Sequence, residues 1–235
     1  MIAALLALGA VAYTAWVLEA VLTTGLDPAQ SYVSELAAED QPFGGFFRAT
    51  DLTAGLLVLA AGLWALVRTV RAGRAGRAAG PDGARRPWAV IGWAGVAFFG
   101  AATAVDSRLP LSCAPTDDPA CAAREAAGLV PATHTAHAVS SSLAMTGAIA
   151  GLVALTVAAR RYRWWPPVAR WGPAVVALEL AATVWTLASV AAFQSGAGTW
   201  GLGAGQRLQV LLVAVWLGLL ALSLMRERRN PEAAP

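Results

Sequence analysis

The run HTAHAVSSS (134–142) sets two imidazoles three residues apart and the hydroxyl of Ser141 four residues beyond the second. At helical spacing His134, His137 and Ser141 share one face. An imidazole is the side chain best suited to moving protons near neutral pH, and two on one face can also share a metal. Two ligands do not complete a metal site. A metal such as zinc would need carboxylates from elsewhere, and Asp51, Asp106 and Glu35 are the acids expected at the same depth. An acid against a histidine is equally how an imidazole is oriented for general-base work. The plainest use is structural, with the histidines bonded to acids or serines and so fixing helix packing.

A serine nucleophile needs a base within hydrogen-bond reach. Ser34, in SYVSEL (31–36), meets that need only if its loop folds back over the histidines. In the same motif Ser31 is suited to cap a helix and Glu35 to complete the capping arrangement. Asp51 has Arg48 one turn before it and Asp106 has Arg108 just after it, so either acid could form a local ion pair and nothing more. Cys113 and Cys121, the only cysteines, stand eight apart in SCAPTDDPAC (112–121), a spacing that favours a disulfide in an oxidising compartment. Glu19 and Glu179 fall inside apolar stretches, where a neutral carboxyl bonded to Ser or Thr is the simpler reading than a proton path.

What positions these residues is a membrane. Of 235 residues 57% are hydrophobic and only 13% charged, with a mean hydropathy of +0.58. A soluble domain of this length is about one-quarter charged. The apolar residues fall in blocks about the length a helix needs to cross a bilayer. The predicted fold is all-α, a bundle of six transmembrane helices near 2–24, 49–69, 88–107, 132–159, 172–194 and 206–225, with a short interfacial helix in the loop 25–48. The first block lacks a basic n-region and a cleavage site and reads as a retained span. All basic residues are arginine, and 13 of the 17 lie in 68–87, 160–170 and 226–229, the alternate connections. By the positive-inside rule those connections and both termini are cytoplasmic, and the acids and histidines face outward. The formal charge of +3 is absorbed by this topology and by anionic lipid, so no nucleic-acid partner is expected. The Gly/Ala/Arg-rich stretch 70–87 reads as a flexible connection, and Trp164 and Trp165 as interfacial anchors.

SYVSELAAEDQPFGGFFRATDLTAG (31–55), followed by an acid-ended third span, a Cys-bearing loop and HTAH, resembles an actinobacterial six-span membrane family catalogued as domain of unknown function 998. That family is distantly similar to eukaryotic six-span proteins of GPI-anchor lipid remodelling. The resemblance covers nearly the whole chain, points to Ser34, Glu35, Asp106 and His137, with His134 beside them, and implies no established activity. A seven-span group of zinc-dependent lipid hydrolases shares these residue types but uses three histidines. Two histidines and six spans argue against that mechanism here.

The expected function is an outward-facing polar site for a lipid or other amphipathic substrate in a bacterial cytoplasmic membrane. In hydrolytic form, His137 is the base, Asp106 or Asp51 orients it, Ser34 or a water attacks an ester or amide, and Arg48, Arg108 or Arg207 holds an anionic headgroup. No cofactor is required. The alternative is a non-catalytic accessory subunit of a membrane complex, in which the polar cluster only locks the helix ends. A transporter would need helices broken at mid-membrane, and these blocks read as continuous.

Overall fold

Each long apolar block becomes a helix. The computed structural model describes residues 1–79 and 86–229. Its helices are α1 (Ile2–Tyr13), α2 (Gly44–Ala79), α3 (Pro87–Asp106), α4 (Pro119–Ala126), α5 (Ala132–Arg161), α6 (Pro166–Gln194) and α7 (Leu202–Arg229), with no strand among the described residues. A 3₁₀ helix, Ala15–Ala20, extends α1, and six segments are then long and apolar enough to cross a membrane. The chain is a multi-pass, all-α membrane protein. Prolines at the first turns of α3, α4 and α6 set their starts, where a missing N–H costs nothing. The flexible connection expected over 70–87 is helical as far as Ala79, because alanine and arginine favour helix strongly enough to carry the glycines. Residues 80–85 of that connection lie outside the described residues.

Helix α3 is clamped between α2 and α5 by glycines. A Cβ added to Gly95 would lie 2.6 Å from the backbone N of Gly151, and one on Gly55 would lie 2.6 Å from that of Ala104. Gly147 and Gly151 form the small-xxx-small pair of α5 that admits such an approach. Farther along the same seam the short side chains of Asp106 and of Ser140 and Ser141 meet. Gly95→Ala is therefore expected to force the two backbones apart at a cost of about 1–3 kcal/mol, read as a lower melting temperature in detergent. An unchanged melting temperature would show that the seam tolerates the methyl group.

Helices α5 and α6 meet at the arginine-rich end, where a Cβ on Gly172 would fall 2.7 Å from Thr156 Oγ1. Trp165 is not an exposed anchor there. It is buried, edge-on to Trp93 at 6.0 Å, and its indole N–H donates to Glu227 Oε2 at 3.1 Å. The Arg86 guanidinium stacks 4.5 Å from the Trp164 ring centroid. This end is a locked floor of tryptophans and arginines.

The opposite end carries a cap. Residues 21–43 fold across it, so the condition on Ser34 is met. Arg207 of α7 donates from Nε and Nη2 to the two carboxylate oxygens of Glu19, both at 2.6 Å, and from Nη1 to the Ser31 carbonyl at 2.8 Å. Val33 N–H donates to Gln206 Oε1 at 2.7 Å, and Glu39 N–H to the Leu111 carbonyl at 2.9 Å. The interfacial helix expected in this loop is a short 3₁₀ helix, Val33–Ala37. Ser31 caps nothing, and Glu35 reaches Thr116 rather than its own helix start. Two features stop the helix. Arg48 takes the Ala37 and Ala38 carbonyls at 2.7 and 3.2 Å, and Pro42 has no N–H to continue the ladder. Helix α4 was not expected; Asp118 caps it by accepting from Ala120 N–H, and the Cys113–Cys121 disulfide pins it to the preceding loop.

Candidate functional site

Asp106 ends α3 directly opposite the first turns of α5. Its carboxylate accepts from Ser140 Oγ and from Ser141 Oγ, the latter at 3.0 Å to each oxygen. His137 Nδ1 lies 3.2 Å from Asp106 Oδ1 and 3.0 Å from the Leu109 carbonyl. A carbonyl only accepts, so Nδ1 carries the proton and Nε2 is left as an acceptor. Ser141 Oγ sits 3.2 Å from that Nε2. The order carboxylate, imidazole, hydroxyl is the arrangement that activates a serine: the acid fixes the tautomer, and the free ring nitrogen faces the hydroxyl. In the imidazolium state, Nε2–H donates to Ser141 and Ser141 donates to Asp106, which closes the ring.

His134 is held in the opposite sense. Its Nδ1 lies 3.1 Å from the Ser112 backbone N–H and 3.0 Å from Ser112 Oγ. A backbone N–H can only donate, so Nδ1 accepts and the ring proton belongs to Nε2. That Nε2–H has no hydrogen-bond partner among the described residues, although the residue is only 2% exposed. The nearest acid, Glu125 Oε1 of α4, is 3.7 Å away, beyond hydrogen-bond length.

Both histidines line one cavity of about 470 Å³ beneath the cap. Ser34, Asp51, Asp106 and Ser141 line it too, as do Tyr13 and Glu125. The volume falls within the usual range of small-molecule sites, about 300–1,000 Å³. Its lower wall is mixed: Met145 and Ile149 of α5 and Leu187 and Val190 of α6 are apolar, and Thr183 and Thr186 of α6 and Gln209 of α7 are polar. Ser142 and Thr146 of α5 and Leu187 and Gln194 of α6 both line the cavity and are exposed. They mark where the cavity reaches the surface between these two helices.

The expected residues are partly brought together. His137 and Asp106 touch. Asp51 shares the cavity with Asp106 but has no hydrogen bond or ion pair among the described residues; Arg48, its expected partner, holds the cap carbonyls instead. Ser34 lines the cavity without bonding either histidine, and the hydroxyl that His137 does meet is Ser141. Arg207 is bound to Glu19 and two carbonyls, whereas Arg108 is exposed and forms no ion pair among the described residues. None of Arg48, Arg108 or Arg207 lines the cavity. No group of three or more His, Cys, Asp or Glu side chains is placed to share a metal among the described residues. Sequence reasoning passed over Ser112 and Glu125, which set the state of His134. The serine run 140–142, one turn past His137, was the visible signal for Ser141.

Glu35 is buried in the cap and accepts from Thr116 N–H at 2.8 Å and from its hydroxyl. Burial pushes its carboxyl up to about 7, against the two bonds from Thr116, which pull it down. A raised folded-state value means that protonation favours the folded cap. Its contribution is complete below the ordinary range near 4.5 and is lost as pH rises through about 7. Proteolysis within 21–43 is therefore expected to quicken between pH 6 and pH 8, and Glu35→Gln, which stays neutral, to flatten that rise. An identical pH profile for the variant would remove Glu35 as the cause.

The family described as protein of unknown function (DUF998) has a model that matches residues 6–223, from the first turns of α1 to the last of α7. No curated protein and no solved structure matches the chain.

Proposed function

The chain belongs to the DUF998 family, and from the geometry beneath its cap we propose that it is a membrane lipid hydrolase with Ser141 as nucleophile, His137 as base and Asp106 as orienting acid. One observation carries this reading: Ser141 Oγ, His137 Nε2 and Nδ1, and Asp106 Oδ1 are linked in sequence at 3.2 Å and 3.2 Å on the wall of a cavity large enough for a ligand. Ser141 Oγ attacks the carbonyl carbon of an ester, and its proton passes to His137 Nε2. The imidazolium, held against Asp106, returns that proton to the departing alkoxide. Water then attacks the acyl-serine with His137 again as base, which releases the acid and restores Ser141. Asp51, without a partner across the same cavity, is available to hold the incoming water.

The apolar side chains that α5 and α6 give the cavity, and the exposed lining residues between those helices, favour a substrate that arrives from the bilayer. The arginine-poor placement of the cap end and the Cys113–Cys121 disulfide favour an outward-facing site, with both termini in the cytoplasm. Membrane lipids are thus the partners the reading requires. A second reading, a scaffold whose polar cluster locks the helices, is favoured by the bonds that run directly from Ser140 and Ser141 to Asp106.

A fluorophosphonate probe separates the two. The purified protein is expected to be labelled in detergent, and Ser141→Ala and His137→Ala to lose the label while remaining folded. A folded wild-type protein that takes no label would sink the hydrolase reading and leave the scaffold.

A further inference from the structure

The charge of the cavity says what its ligand is not. Three acids line it, Asp51, Asp106 and Glu125, and no arginine or lysine does. Three of the cations near this end are engaged elsewhere, Arg207 with Glu19, Arg48 with the cap carbonyls and Arg124 with Asp118 at 3.7 Å, and the fourth, Arg108, is exposed and does not line the cavity. A phosphate or carboxylate headgroup would enter without a counter-charge and against three carboxyl groups, at the cost that burying an unpaired charge carries.

His134 and Glu125 say what the ligand is. A wholly buried N–H donor with no partner is costly to leave unmet. Nε2 of His134 and the Glu125 carboxylate stand 3.7 Å apart, too far for a direct hydrogen bond and close enough for one hydroxyl lying beside the pair to bond both, and both residues line the cavity. A group that satisfies both must accept from one and donate to the other. An ammonium group donates only, and an ester or phosphate oxygen accepts only. A hydroxyl does both.

We propose that the site takes a lipid with an uncharged, hydroxylated headgroup, of the glycerol or sugar kind, and that one headgroup hydroxyl accepts from His134 Nε2–H and donates to Glu125. This rests on the cavity being a lipid site; it does not require that Ser141 be a nucleophile. His134 is then a binding residue held neutral by Ser112, distinct in role from His137. His134 lines the cavity one helical turn before His137 and anchors the headgroup beside Ser141.

The test uses the Ser141→Ala variant in detergent, so that no turnover confuses binding, with three probes of one chain length: monooleoylglycerol, oleoyl lysophosphatidate and oleylamine. Binding is read by tryptophan fluorescence and native mass spectrometry. Monooleoylglycerol is expected to bind at least tenfold more tightly than either charged lipid. Glu125→Ala, at a half-exposed position that the fold does not depend on, is expected to weaken monooleoylglycerol at least fivefold and to narrow its margin over lysophosphatidate. His134→Phe, which keeps the volume and removes the donor, should do the same. Equal or tighter binding of lysophosphatidate or oleylamine would overturn the proposal, as would binding of none of the three, or a Glu125→Ala variant unchanged towards all. Tight, selective binding of monooleoylglycerol without fluorophosphonate labelling of the wild type would leave this proposal standing and the hydrolase reading fallen.

Discussion

Replacing Arg207 with methionine is expected to cost the protein about 3–5 kcal/mol, the loss typical of breaking a buried ion pair from one side. Arg207 and Glu19 are 8% and 6% exposed at their side chains, and each guanidinium–carboxylate bond is 2.6 Å long. With the arginine gone, the Glu19 carboxylate is left without its counter-charge in a poorly solvated place between α7 and the 3₁₀ helix that extends α1. The Ser31 and Gly203 carbonyls lose their donor at the same time. Thermal unfolding in detergent measures the total. Arg207→Met with Glu19→Leu separates the causes, since replacing both partners with apolar residues is often close to neutral. Recovery in the double variant would assign the loss to the stranded charge. No recovery would assign it to the carbonyls of the cap, and a single-variant cost below about 1 kcal/mol would show that the pair is far better solvated than its burial implies.

Asp106→Asn is expected to slow fluorophosphonate labelling, and any ester turnover, by about 10²–10⁴. Asparagine can keep the bonds from Ser140 and Ser141 through its carbonyl oxygen. It cannot offer a negative charge to the imidazolium that forms as Ser141 attacks. The alternative tautomer of His137, with the proton on Nε2, would also turn the wrong nitrogen towards Ser141. A scaffold makes the reverse prediction. There the carboxylate matters only as an acceptor for two hydroxyls and one N–H, so the substitution would lower stability and leave no rate to change. Measuring the melting temperature beside the labelling rate therefore decides the role. A variant that labels as fast as the wild type removes Asp106 from the chemistry.

The helices were legible because their signal is local: twenty apolar residues need no knowledge of the rest of the chain. The same holds for the disulfide, whose two cysteines have no other partner in the sequence. The meeting of His137 with Asp106 was legible as a pairing of types at one depth. The hydroxyl that joins them was expected from Ser34 in the cap, whereas Ser141, one turn from His137 on α5, stands 3.2 Å from its Nε2. Arg207 was misjudged for a related reason. An arginine at a helix end reads as a headgroup ligand, and only the fold brings Glu19 to it from 188 residues away. Helix α4 was missed although Asp118-Pro119 is a fair start signal, since eight residues are fewer than a helical period needs to stand out from its surroundings.

The bonds between cap and α7 join the first span of the chain to its last. Glu19 and Val33 leave the ribosome well before their partners Arg207 and Gln206. At about 5–20 residues per second, the 188 residues between Glu19 and Arg207 take roughly ten to forty seconds to make. Through that interval the acid of α1 has no cation and the cap has no edge to rest on. Assembly of the cavity thus waits on translation of the last helix, and a chain truncated before it would display an open polar end, a mark by which incomplete copies differ from finished ones.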